Sequence, residues 1–91
     1  MKRMEGKVAF LTGAGAGIAK ATAKAFAREG AKVALFEINR ATGEAAEREI
    51  AAAGGQALFV ETDVTNDESV RRAVEATIAR FGRLDVIMNC A

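Results

Sequence analysis

Thr12-Gly13-Ala14-Gly15-Ala16-Gly17-Ile18-Ala19 follows the run Lys7-Val8-Ala9-Phe10-Leu11 and opens an alanine-rich segment. Three glycines within five positions at a strand-to-helix junction decide how the chain is read. A helix N-terminus carries unpaired backbone N–H groups and a partial positive charge, which suit an anion. Glycines lack Cβ atoms, so the backbone can approach a pyrophosphate closely enough to use those groups. The preceding run is apolar after its lysine, as expected of a strand buried on both faces of a parallel sheet. Behind the loop, Ile18, Ala21, Thr22, Ala25 and Phe26 recur at helical spacing and are expected to face inward. Lys20, Lys24 and Arg28 fall on another, solvated face, and Gly30 supplies a C-terminal stop. Without a ligand, the same loop is a tight strand-to-helix turn.

The alternation continues. Val33-Ala34-Leu35-Phe36 reads as a second strand ending at Glu37, and Asn39 or Thr42 caps a helix that Gly54-Gly55 ends. Gln56 to Val60 is a third strand. Thr65 with Glu68 forms a capping box for a third helix, whose inner face is Val70, Ala73, Val74, Thr77, Ile78 and Phe81. Gly82 closes it, and Leu84 to Met88 is a fourth strand. Strands alternating with helices imply right-handed crossovers and a parallel sheet. The expected fold is α/β, βαβαβαβ, with strand order 3-2-1-4: half of a doubly wound sheet plus one strand past the switch point.

Ninety-one residues make one small domain, with a net charge of +1 and mixed acidic and basic residues. No nucleic-acid footprint and no membrane span are expected from such a chain. Lys2 and Arg3 are followed by Glu5, Gly6 and Lys7 where a signal peptide would be apolar. Cys90 is the single cysteine, so no internal disulfide forms, which fits a reducing cytoplasm. Lacking a histidine partner, Cys90 reads as a small buried residue rather than a nucleophile.

The glycine loop, Glu37, Asp63 and Asn89 all fall at strand carboxyl ends, where ligands bind in such sheets. Glu37 lies 24 residues after Gly13, near the spacing of an acid that accepts from adenosine ribose hydroxyls. Its charge repels a 2′-phosphate, and neither Ala16 nor Ile38 offers a compensating cation. NAD is therefore favoured over NADP, with Arg40 near enough to soften the preference. The alternative is a solvated acid at a strand end. Asp63 either meets the adenine edge, with Val64 on the ring, or is a turn residue ahead of Thr65. Asn89 either holds the strand end beside the cofactor or satisfies backbone groups there.

These residues resemble the short-chain dehydrogenases/reductases over nearly the whole chain. Thr12-Gly13-x-x-x-Gly17-Ile18-Ala19 is similar to the family's T-G-x-x-x-G-I-G loop, and Asp63-Val64 to its adenine-side D-V pair. Phe81-Gly82-Arg83-Leu84-Asp85-Val86 is similar to the run before its fourth strand, and Asn89-Cys90-Ala91 to the start of N-N-A-G. Two positions depart: Ala19 replaces a loop glycine that mainly sets helix–strand packing, and Cys90 replaces an asparagine amide.

The resemblance implies a Rossmann-type, NAD-binding chain. Its cofactor residues would be Thr12, Gly13, Gly15, Ala16, Gly17, Ile18, Glu37, Asp63, Val64, Asn89 and Ala91. The family's serine, Tyr-x-x-x-Lys pair and further asparagine lie downstream of the last residue, and the chain contains no tyrosine. It is expected to be the cofactor-binding half of an NAD-dependent oxidoreductase, without catalytic residues of its own. A second expectation is homodimerisation through the open edge of the fourth strand and the sheet face covered only by the third helix. A methyltransferase-like fold is the third reading, since Gly13-x-Gly15-x-Gly17 also fits a G-x-G-x-G loop. Thr12-Gly13, Asp63-Val64 and Asn89-x-Ala91 argue against it.

Overall fold

The structure is a computed structural model that describes residues 3–13 and 17–89. Seven elements alternate along the chain: β1 (Val8–Thr12), α1 (Gly17–Arg28), β2 (Lys32–Glu37), α2 (Arg40–Ala52), β3 (Gln56–Glu61), α3 (Asp67–Phe81) and β4 (Val86–Asn89). The strands form one parallel sheet in the order β3-β2-β1-β4. The expected topology is therefore present, and every strand carboxyl end opens on one edge.

Side-chain alternation divides the core between the two sheet faces. Ala9, Leu11, Val33 and Leu35 point to one face, where Ala19 and Ala23 of α1 and Ala46 and Ile50 of α2 close over them. Phe10, Ala34 and Phe36 point to the other, beneath Ala73 and Val74 of α3. There the Phe10 and Phe36 rings stack with centroids 4.5 Å apart. β1 is buried along its whole length, as a strand flanked on both edges and both faces must be.

Several local expectations are corrected. Among the described side chains of α1 the buried ones are Ala19 and Ala23, with Phe26 and Ala27 packed against them, while Ala21 is exposed. Alanines occupy so much of α1 that periodicity alone misplaces the stripe by about one position. Asn66, not Thr65, caps α3, accepting from the Ser69 N–H at 3.0 Å. Glu68 pairs with Arg71 instead of closing a capping box. Ile78 lies outside the buried stripe of Ala73, Thr77 and Phe81. Asn39 is the cap of α2. β4 starts at Val86, because Asp85 binds the β1 terminus: its N–H donates to Val8 O at 2.8 Å and its Oδ2 accepts from Val8 N at 2.9 Å.

The helical lysines are less solvated than expected. Lys20 and Lys24 both close on Glu49, at 2.5 and 2.7 Å, and tie α1 to α2. These two cations hold the Glu49 carboxyl at about 2, well below its ordinary 4.5. A depressed carboxyl stabilises the fold above the unfolded value and loses that contribution as pH falls through the folded one. Glu49→Gln is thus expected to lower the melting temperature at pH 7. Its deficit relative to the parent should shrink between pH 4.5 and 2, as acid-dependent calorimetry would report. A deficit independent of pH would contradict the ion-pair account.

Glycine 43 has an equally specific role. It is buried in α2 with helical backbone, and a Cβ there would stand 2.1 Å from Phe59 Cε1. Glycine normally costs a helix interior about 1 kcal/mol relative to alanine, so Gly43→Ala on an isolated helix would stabilise. Here overpacking against the ring reverses the sign, and a loss of about 1–3 kcal/mol is expected in urea unfolding. The loss should be smaller in a Phe59→Ala background; an equal loss would place its cause elsewhere.

Candidate functional site

The carboxyl edge of the sheet is built by short backbone links between strands. Gly13 N donates to Phe36 O at 2.9 Å, and Thr62 N donates to Glu37 O at 2.9 Å. These bonds hold the exits of β1, β2 and β3 side by side. Gly13 and Gly17, which bracket the glycine loop, have φ of +67° and +64°. Residues bearing a Cβ rarely adopt this conformation, so the two glycines are required by backbone geometry alone. A Cβ on Gly17 would meet no atom within 4 Å, so the surface beside it is open.

Between these exits lies a cleft of about 290 Å³, lined by Gly13, Phe36, Glu37, Ile38, Thr62, Asp63, Val64 and Thr65. Its floor is Phe36 and Thr62, both buried. Ile38 and Val64 flank it as apolar side chains that remain 59% and 42% exposed. Exposed aliphatic groups beside a concave surface offer contacts to a planar apolar group.

The two acids in the cleft are organised differently. Glu37 turns over its own loop, where Oε1 accepts from Ile38 N at 2.9 Å and Asn39 N at 3.2 Å. Asp63 forms a tight turn in which Oδ1 accepts from Thr65 Oγ1 at 2.6 Å and Thr65 N at 3.0 Å. The Thr65 hydroxyl, then its N–H, holds the Asp63 carboxyl below its ordinary value. Asp63 N donates to Ser69 Oγ at 2.9 Å, anchoring the turn to α3. Asp63 thus sits in a turn ahead of Thr65 and is also among the residues that line the cleft.

Of the residues expected at the site, Gly13, Glu37, Asp63 and Val64 meet at one cleft. Thr12 ends β1 and is buried; Gly17 begins α1; Asn89 ends β4 opposite Thr12. Gly15, Ala16, Cys90 and Ala91 lie outside the described residues, as do the side chains of Ile18 and Asn89. Sequence reasoning missed the lining roles of Ile38 and Thr62. An isoleucine directly after a strand-terminal acid is the available signal. Among the described residues no acidic, cysteine or histidine cluster is suited to a metal.

A larger cleft, about 440 Å³, lies at the opposite edge of the sheet between the C-terminal ends of α1 and α2. Volume alone favours it. It is lined by Lys24, Arg28, Glu49 and the Gly54-Gly55 turn, and Lys24 and Glu49 there already pair with each other. The carboxyl-edge cleft is the better candidate because convergent strand ends, the left-handed Gly13 and an oriented acid meet there.

Known proteins share both the sequence and the fold of this chain. The short chain dehydrogenase family model matches residues 7–91. A short-chain dehydrogenase/reductase, astE of Aspergillus oryzae, is 48% identical over 89 residues, covering 97% of this chain and 34% of that protein. The hydroxysteroid dehydrogenase of Escherichia coli superposes with a TM-score of 0.93 at 37% identity, over 96% of this chain and 37% of that one. The 3-ketoacyl-(acyl-carrier-protein) reductase of Brucella melitensis, solved with NADH, gives 0.86 at 42% identity, over 92% and 33%. The chain thus spans about a third of the length of these relatives. Fold, loop and matched residues together place the chain in the short chain dehydrogenase family.

Proposed function

We propose that this chain binds NAD(H) at the carboxyl-edge cleft and serves as the cofactor-binding part of an NAD-dependent oxidoreductase. The observation that carries the proposal is the convergence of Gly13, Glu37, Asp63 and Val64 on one cleft at the exits of three parallel strands. The residues fit such a ligand. Gly13 and Gly17 take left-handed backbone at either end of a loop whose sequence, with Gly15, Ala16 and Ile18, suits close approach of a pyrophosphate to backbone N–H groups. Glu37, fixed by Ile38 N and Asn39 N, accepts from ribose hydroxyls. Ile38 and Val64 pack on the adenine, with Asp63 at its edge. Thr12, Asn89 and Ala91 serve the part of the cofactor nearer β4.

When bound, the nicotinamide supplies the hydride donor or acceptor. The chain contributes binding, orientation and negative charge at the ribose. Hydride transfer to a carbonyl also requires an acid near the substrate oxygen, and these residues include neither tyrosine nor histidine.

Cofactor fluorescence tests the reading. Saturable NADH binding is expected at millimolar concentration or below, tighter than NADPH, and Glu37→Gln should weaken NADH about tenfold, as loss of a charged hydrogen-bond acceptor does. No saturation, or tighter NADPH than NADH, would remove the proposal.

A second reading, compatible with the first, is self-association through β4. On the described sheet β3 has a guarded outer edge, where Glu47 Oε2 accepts from Phe59 N at 2.6 Å. β4 has no strand on its outer side among the described residues, and Ile87, on the α3 face, is 65% exposed. Sedimentation is expected to show a dimer at micromolar concentration that Ile87→Lys dissociates. A monomeric parent chain would rule this out.

A further inference from the structure

Arg40 is the cation nearest in sequence to Glu37, and its charge is already committed. Nη2 donates to Glu61 Oε1 at 2.7 Å and Nη1 to Glu44 Oε1 at 3.1 Å. Glu61 is also the register partner of Glu37 across β2 and β3. Register partners on adjacent strands have backbones about 5 Å apart, so two acidic residues end neighbouring strands. Like charges so placed repel, and Arg40 settles on Glu61 and Glu44.

This arrangement bears on cofactor choice. In dinucleotide folds, an arginine near the end of the second strand accommodates a 2′-phosphate. Arg40 occupies a suitable sequence position, yet both arms of its guanidinium are taken up by carboxylates. We infer that Glu44 and Glu61 hold Arg40 away from the ribose position beside Glu37, making this pair a second determinant, beyond Glu37, of discrimination against 2′-phosphorylated dinucleotides. The inference rests on the NAD(H) reading above. Two carboxylates hold one guanidinium beside a third acid, Glu37, and a 2′-phosphate would add about −1.5 to −2 charges to that net negative group. Exposed ion pairs are individually weak, so the effect is graded: the carboxylates compete with the phosphate for one fork of donors. Arg40 and its two partners are positioning residues, acting on which dinucleotide the cleft accepts.

The test is a set of dissociation constants for NADH and NADPH. The parent chain is compared with Glu37→Ser, with Glu37→Ser/Glu44→Gln/Glu61→Gln, and with that triple variant carrying Arg40→Leu. Relative to Glu37→Ser, the triple variant should bind NADPH about tenfold more tightly, and Arg40→Leu should abolish that gain. A triple variant no better than Glu37→Ser, or a gain that survives Arg40→Leu, overturns the inference while leaving NADH binding by the parent intact. A parent chain that binds no NADH overturns both. A readout without cofactor is the exchange of the Arg40 side-chain N–H protons with water, followed by NMR. It should be faster in Glu44→Gln/Glu61→Gln, and unchanged exchange would show that Arg40 is not held.

Discussion

β1 commits both hydrogen-bonding edges and both side-chain faces to the interior, pairing in parallel with β2 on one side and β4 on the other. That double pairing governs the rest of the chain. Parallel neighbours cannot be joined by a tight turn, so each strand must return through a helix, and the crossovers place α1 and α2 on one face and α3 on the other. The same constraint brings every strand exit to one edge. Gly13, an oriented glutamate and an aspartate turn therefore meet there although they are far apart in sequence.

Once the exits are gathered, electrostatics sets the character of the edge. Glu37 is fixed by two backbone N–H groups, Asp63 by the Thr65 hydroxyl and N–H, and Arg40 by Glu44 and Glu61. None of these groups needs burial to be positioned. Each is held by short local contacts at the end of a strand or the start of a helix, where a rigid sheet supplies the frame. Glu37, Asp63 and Arg40 are thus positioned by the protein's own contacts, and groups held in advance lower the ordering cost of binding.

How much of this is legible in the sequence depends on the range of the interaction. Element order, strand order and the strand-end positions of Gly13, Glu37 and Asp63 follow from apolar runs, glycine stops and the parallel rule, all of which act locally or by general topology. The contacts that escaped sequence reading are tertiary. Nothing around Gly43 announces that Phe59, from the neighbouring strand, fills the space of its missing Cβ. Glu49 reads as one more helical acid until α1 brings Lys20 and Lys24 to it. Asp85 looks like part of a strand, but its carboxylate is spent on Val8 N. Within α1, a surplus of alanines leaves the buried stripe of Ala19 and Ala23 indistinct, since small residues fit either face.

The most direct measurement of the central claim is an amide NMR titration of the chain with NADH. Chemical-shift changes are predicted at Gly13, Ile38, Asp63 and Val64, the residues of the carboxyl-edge cleft, with the turn at Gly54 and Gly55 unaffected. Changes centred instead on Lys24, Arg28, Glu49 and Gly54, around the larger cleft between α1 and α2, would contradict the assignment of the site.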